Sequence, residues 1–443
     1  MPKPKNYLKT PTAPSFEEFI FNWAATISPT YGMKDPEKAY ERLCDCLFAM
    51  CVEFDTLNSR WEKEFEMVIG EESDPKNHWF TENVVPVYPG IGDDYGEDLV
   101  DQHYQHFQAE VLWQIADVWA LKRIPDLAAQ DRIKWVVQPP IDFLQPIPQQ
   151  VIDKMKTAFK VVPWVKSGYD RLKDAGLDNL YDPIPLGLNC ELWRPKDRTE
   201  HPGMMKSLGF GYDTFNISVV NANQYMRKAW EQTLRGIRIF REKHPDLKVR
   251  LYLHTYLSTA EGWDMQGLIN ALGLADITNC PNQYDMLTGQ IVEFQLMMMH
   301  ALADVVINAS QEGFGYATVQ AQAVGTPLIG LNEGATSDLT KKAILVPPYF
   351  DYMTLNFLHK TDPHPLHIAD ALEQVTNIPR KEFEENIPFI RENFAWDVVY
   401  GKWRKFFTEF DRELENRCIK SKRYPPAPSE REIELSKRRV EVA

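Results

Sequence analysis

From residue 213 onward, short apolar runs alternate with stretches whose apolar positions repeat every three to four residues. FNISVVN (215–221), LKVRLYLHT (247–255), DVVINAS (304–310) and TPLIGL (326–331) are the runs. MRKAWEQTLRGIRIFREKHP (226–245), MQGLINALGL (265–274), IVEFQLMMMHALA (291–303) and TVQAQAVG (318–325) are the helical stretches between them. Near-continuous apolar runs are what strands buried on both faces require. Strands separated by helices pair in parallel, because each helix carries the chain back across the sheet. The pattern predicts a doubly wound α/β unit over 213–388.

The N-terminal half shows the same habit less regularly. IKWVVQPPIDF (133–143) reads as a buried strand stopped by two prolines, and FKVVPWVKSGYDRLKDAGL (159–177) as strand, loop and helix closed by Gly176. PEKAYERLCDCLFAMCVEF (36–54) has the stripe of an amphipathic helix. Periodicity fails across PIPLGLNCELWRPKDRTEHPG (183–203), where four prolines mark a connector. The expected organisation is a frayed N-terminus (1–15), a first domain (16–190), a linker (191–212), a second domain (213–388), helices (389–418) broken at Pro388, and a charged tail (419–443).

Composition narrows the class. With 443 residues, 44% hydrophobic and 25% charged, the chain can bury two cores and is not disordered overall. The 49 Lys and Arg against 63 Asp and Glu leave a net charge of −14, which disfavours nucleic acid as a partner; the tail 417–439 holds the one basic stretch inviting it. No run approaches the roughly 18 apolar residues of a membrane span, and the N-terminus has no signal-peptide core. Six cysteines without a CxxC pair point to neither zinc nor a disulfide framework, so a reducing, cytoplasmic setting is expected. His103 and His106 have metal-pair spacing but no further ligand in sight, so no metal site is expected.

Two strand ends carry candidate chemistry. After DVVINAS comes Glu312-Gly313-Phe314-Gly315 and a helix start, whose free N–H groups and glycines suit a diphosphate. Glu312 would be repelled by phosphates and is better matched to sugar hydroxyls; a helix-entry glutamate stabilised by the dipole is the other reading. After FNISVVN, Arg227 and Lys228 place two cations at a helix start, against the dipole preference, as an anion site would; a solvated pair is the alternative. His254 ends a third strand, and taken alone it reads as a satisfied structural histidine rather than a ligand.

Taken together, NANQYMRK, LYLHT, EGWDMQGLINALGL and ADVVINASQEGFGYATVQAQAVGTP resemble the donor half of the family 4 glycosyltransferases, which are retaining, nucleotide-sugar-dependent enzymes of the GT-B fold. SPTYGM, VYPGIGDDYGED, ADVWAL, IKWVVQPPID and IPLGLNCELWRP extend the likeness in order over roughly residues 25–410. The resemblance implies two Rossmann-like domains facing a cleft, with a C-terminal helix crossing back to the first. It implies that Glu312 meets the transferred sugar and that Arg227 and Lys228 neutralise the leaving diphosphate. Gly32, Asn223, His254, Gly313, Phe314, Gly315, Tyr316 and Gln320 complete the expected donor site. Gln320 departs from the family, which has a second glutamate there for the nucleotide ribose; glutamine keeps an acceptor but loses the charge.

The implied reaction is transfer from a nucleoside-diphosphate sugar with retention at the anomeric carbon, the sugar nucleotide being co-substrate and no metal or other cofactor being required. No DxD occurs in the chain, in keeping with metal independence. Asp117 and Asp142 end first-half strands and are the candidate acceptor-binding residues, with turn or cap roles as the alternative. The absence of a basic amphipathic face suggests a soluble acceptor. The rival readings are the same fold acting on a nucleic-acid base or protein side chain, and a noncatalytic sugar- or partner-binding scaffold motivated by Gln320.

Overall fold

The computed structural model describes residues 97–106, 109–354 and 356–418. The expected helix at 36–54, Gly32, the frayed N-terminus and the charged tail lie outside the described residues.

Three short parallel strands, β1 (Leu112–Gln114), β2 (Trp135–Val137) and β3 (Lys160–Val161), form the first sheet in that order. Successive side chains of a strand point to opposite faces, and β2 uses both. Trp135 and Val137 enter one core with Leu121, Ile141, Phe143, Ile152 and Leu172, whereas Val136 joins Val162 and Ile184 on the other face. That second face is covered from far along the chain. Val399, Trp403, Phe406 and Phe410 of the helix Trp396–Cys418 pack on it, so the C-terminal helix does return to the first sheet.

The second sheet is wholly parallel. Its strands are β4 (Phe215–Val220), β5 (Val249–His254), β6 (Thr278–Asn279), β7 (Val305–Asn308), β8 (Leu328–Leu331) and β9 (Ile344–Val346), arranged β6-β5-β4-β7-β8-β9. The order runs outward from β4 to β6, then restarts at β7 on the other side of β4. The crevice above β4 and β7 is therefore a topological switch point, where open α/β sheets bind ligands beyond the carboxyl ends of the strands. Helices Trp230–Lys243 and Pro365–Thr376 cover one face, bringing Leu234, Ile237, Phe240, Ile368 and Leu372 onto Ile217, Leu251, Val305 and Ile329. Met297, Met298, Val319 and Ala323 belong to the cluster that includes Tyr252 and Trp193.

Four features differ from the sequence expectation. Helix 226–245 starts only at Trp230, because Met226 and Ala229 adopt left-handed backbone that no α-helix accommodates. β7 ends at Asn308 rather than Ser310, which leaves Ser310 in the loop. Pro388 does not break the tail: it is the third residue of helix Asn386–Phe394, in the first turn where a missing N–H is harmless. The break falls at Ala395, whose extended backbone (ψ 144°) precedes Trp396. Finally, an antiparallel hairpin, β10 (Pro348–Met353) with β11 (His359–Pro363), follows β9 and belongs to neither sheet.

Among the described residues, no helix is long and apolar enough to cross a membrane.

Candidate active site

The loop between β4 and helix Trp230–Lys243 is built to hold two cations in place. Asn223 is buried, and its amide nitrogen donates to the carbonyls of Tyr256 (3.0 Å) and Trp263 (2.8 Å) while its oxygen accepts from Trp263 N–H (2.8 Å). Trp230 Nε1 donates to Ala222 O at 2.8 Å, and Tyr352 Oη donates to Met226 O at 2.8 Å. These bonds offset the left-handed backbone at Met226 and Ala229, a conformation that costs of order 1–3 kcal/mol at a non-glycine residue. Strain of that kind persists where the surroundings over-determine it. Here it places Arg227 and Lys228 directly before the helix N-terminus.

Lys228 Nζ donates to Glu312 Oε1 at 2.6 Å, and Ser310 Oγ donates to the same oxygen at 2.7 Å. Ser310 accepts from Asn221 Nδ2 (3.1 Å), which ties the β7 loop to the β4 loop. Among the described residues, nothing donates to Glu312 Oε2. Burial alone would push the Glu312 carboxyl up; Lys228, then Arg227 and the Ser310 hydroxyl, outweigh it and hold the group below the usual carboxylate range. Glu312 is therefore an anion at neutral pH with one oxygen to spare.

Arg227 faces the first sheet. Its Nη2 and Nε lie 3.2 and 3.4 Å from Asp142 Oδ2, in the loop after β2, and its Nη1 donates to Gln224 Oε1 at 2.5 Å. Lys360 Nζ of β11 reaches the same Asp142 oxygen at 2.5 Å. Against the pull of burial, Lys360 and Arg227 keep Asp142 below the usual carboxylate range. Asp117, in the loop after β1, is pushed the other way, first by burial and then by the Asp142 charge. Side-chain exposure separates the cations: 35% for Arg227, 9% for Lys228 and 4% for Lys360. Arg227 is the one of the three that solvent, or an entering anion, meets.

The remaining expected residues take varied places. Gly313 lies against the first sheet's loop, since a Cβ there would sit 2.7 Å from Pro140 Cβ; the close approach it permits is to protein backbone. Gly315 caps helix Tyr316–Ala323 with a left-handed φ of 77°. Phe314 is buried edge-on to Trp164, Tyr316 and Phe394. Tyr316 Oη donates to Gly187 O at 3.2 Å, and burial pushes its phenol up to about 12. Gln320 is buried one turn into the same helix, with no side-chain hydrogen bond among the described residues. His254 ends β5 opposite Val220, and burial lowers it to about 4, so it is a neutral imidazole at pH 7. Asn223 acts as a brace, as above. His103 lies in helix Val100–His106, and no group of three or more His, Cys, Asp or Glu poised for a metal occurs among the described residues.

The structure thus brings Glu312, Lys228, Arg227, Asp142 and Asp117 together. It adds Lys360, Ser310 and Asn221, which the sequence reading does not single out. Ser310 and Asn221 are each the last residue of an apolar run, a position that flags them in retrospect. Lys360 carries no such signal.

Two parallel α/β sheets flanking this cluster, with a C-terminal helix returning to the first, are the GT-B fold of glycosyltransferases. Solved structures of that fold superpose on the chain: Anabaena HepE in complex with UDP and glucose (TM-score 0.56, 14% identity, 71% of this chain and 81% of that one) and a glycosyltransferase from Rickettsia africae ESF-5 (TM-score 0.56, 13% identity, 80% and 89%). A UDP-forming α,α-trehalose-phosphate synthase from Burkholderia xenovorans gives a TM-score of 0.51 at 13% identity over 72% of this chain and 79% of that one. By sequence, the chain is 28% identical over 229 residues to D-inositol 3-phosphate glycosyltransferase of Paenarthrobacter aurescens (strain TC1), covering 50% of each. It is 23% identical over 287 residues to the protein of that name from Thermobifida fusca (strain YX), covering 60% of this chain and 62% of the relative. The chain therefore spans about half to three-fifths of the length of these curated relatives. They bear out the resemblance to family 4 glycosyltransferases. No protein-family model matches the chain.

Proposed function

We propose that the chain is a retaining glycosyltransferase of family 4 type that moves a sugar from a nucleoside-diphosphate sugar to a soluble acceptor in the cytoplasm. The observation that carries this reading is the Glu312–Lys228 pair beside Arg227 at the switch point of the second sheet, facing the carboxylates of Asp142 and Asp117. The names of the relatives and the UDP and glucose bound to HepE support it.

In this reading the donor diphosphate lies against the partly exposed Arg227 and the N-terminus of helix Trp230–Lys243, where the dipole favours negative charge. As the bond to the anomeric carbon breaks, charge grows on the departing phosphate, and these fixed groups stabilise it without having to reorganise. Lys228 is committed to Glu312 and keeps that carboxylate ionised. The spare Oε2 then accepts from hydroxyls of the transferred sugar, orienting the ring. The buried amide of Gln320 serves the ribose as acceptor and donor. Asp117, with its raised pKa, is suited to holding an acceptor hydroxyl across the cleft. The acceptor enters on the face the diphosphate leaves, which retains the anomeric configuration.

Incubating the purified full chain with a panel of nucleotide sugars and cell extract, followed by mass spectrometry and NMR of the product's anomeric proton, tests the proposal. A glycosylated product with the donor's configuration is expected. Inversion would sink the retaining mechanism, and absence of both donor turnover and nucleotide binding would sink the enzyme reading.

A further inference from the structure

Lys360 sits where three separate segments meet. It lies on β11 of the hairpin, and the hairpin touches the loops after β2, β4 and β7. Leu358 is buried in the apolar cluster of the first sheet, and Leu144 N–H donates to His359 O at 2.7 Å, two residues beyond Asp142. Thr361 N–H donates to Gln311 Oε1 at 3.0 Å, beside Glu312. Tyr352 Oη donates to Met226 O, beside Arg227. At the centre, one oxygen of Asp142 serves both Lys360 (2.5 Å) and Arg227 (3.2 and 3.4 Å).

We propose that Lys360 is a positioning residue: by answering the charge of Asp142, it keeps Arg227 loosely held and free to turn to the diphosphate of a nucleotide sugar. The proposal rests on the donor reading above. A buried carboxylate with one counter-ion draws that ion in, because an unpaired charge out of water is costly. With Lys360 at 2.5 Å, the first claim on Asp142 is met by an amine that solvent does not reach. Arg227 takes the second place at longer range, with a third of its side chain exposed. Without Lys360, Asp142 and the diphosphate would compete for the same guanidinium. The hairpin thereby sets, from a distance along the chain, the availability of a cation on the β4 loop.

The test is calorimetric titration of the purified full chain with UDP, GDP, ADP, CDP and TDP, carrying the tightest binder forward to variants whose folding is checked by circular dichroism. Lys360→Met is expected to weaken binding about tenfold, the scale of one competing charge-assisted contact. Lys360→Arg keeps the charge and is expected to bind within about threefold of wild type. Adding Asp142→Asn to Lys360→Met removes the competitor and is expected to restore affinity to at least wild type, which a merely structural role would not do. Should Lys360→Met fail to fold, the charge-neutral double variant decides alone: wild-type affinity or better supports the proposal, and a tenfold loss overturns it. Unchanged affinity in a folded Lys360→Met, or a double variant as weak as the single, also overturns it. A wild type that binds none of the five fails the donor reading itself, whereas a wild type that binds beside a folded Lys360→Met that matches it fails only the role of Lys360.

Discussion

Glu312 has one oxygen on Lys228 and Ser310 and the other unclaimed, so different substitutions test different things. Glu312→Ala strands Lys228 as a buried cation, at a cost of about 3–5 kcal/mol, and confounds folding with catalysis. Glu312→Gln keeps the volume and an acceptor while removing the charge. It is expected to lower turnover at saturating donor by about 100-fold or more with a folded protein, the scale on which a group aimed at the reacting centre acts. Near-normal turnover would take Glu312 out of the catalytic role. Asp362 is a further buried carboxyl, one oxygen of which has no partner among the described residues. Burial raises it to about 7, with Lys360 pulling the other way. A raised acid binds more protons folded than unfolded between about pH 4 and pH 7, so its contribution to stability is fully present below that window and is lost as pH rises through it. Between pH 5 and pH 8, wild type should therefore lose about 2–3 kcal/mol relative to Asp362→Asn. Thermal unfolding of both at the two pH values measures this. A difference independent of pH would mean that Asp362 stays ionised throughout.

The second sheet was legible because the apolar runs of β4, β7 and β8 are buried on both faces and helices such as Trp230–Lys243 carry one apolar stripe. Where the backbone departs from such periods, the pattern gave no warning. Nothing in MRKA announces that Met226 and Ala229 turn left-handed and delay the helix to Trp230. The hairpin was invisible for a related reason: five of the six residues of β10 face solvent, so it has no buried face to write a pattern. Its first residue, Pro348, follows Pro347, and a proline pair reads as a loop. Close packing between helices is just as silent in sequence, and two glycines show it. Gly236 lies where a Cβ would come within 2.6 Å of Ile368 Cβ and 2.9 Å of the Pro365 carbonyl, a backbone atom that cannot swing aside. Gly236→Ala is expected to destabilise by about 1–3 kcal/mol, the range for overpacking, despite alanine's better helix propensity. Gly401, on helix Trp396–Cys418, has nothing within 4 Å of the same position. There the propensity acts alone, and Gly401→Ala should stabilise by about 0.5–1 kcal/mol. Melting temperatures that move in the same direction for both would contradict this account of the packing.

At the scale of the molecule, the site exists only because distant segments converge: Asp117 and Asp142 come from the first sheet, Arg227 and Lys228 from β4, Glu312 from β7, and Lys360 from the hairpin. Motif spacing exposed the β4 and β7 members, which share a local strand-to-helix setting. It was blind to Lys360, whose relation to Asp142 spans 218 residues. The resulting charge pattern argues for how a diphosphate would be handled. Arg227, Lys228 and Lys360 set three positive charges against the ionised Asp142 and Glu312, and the N-terminus of Trp230–Lys243 adds its dipole. The charges of both carboxylates are already answered by cations, so a divalent ion arriving with the donor would meet a site with no net negative charge to attract it. In the proposed reaction, stabilisation of the leaving group falls to Arg227 and the helix N-terminus. Donor turnover in excess chelator is accordingly expected to equal that in magnesium. Raising salt should weaken nucleotide binding, because Arg227, the cation an entering diphosphate meets, is a third exposed. Turnover that disappears in chelator and returns with magnesium or manganese would show that the three cations do not suffice, and would assign one of the paired carboxylates to a metal instead.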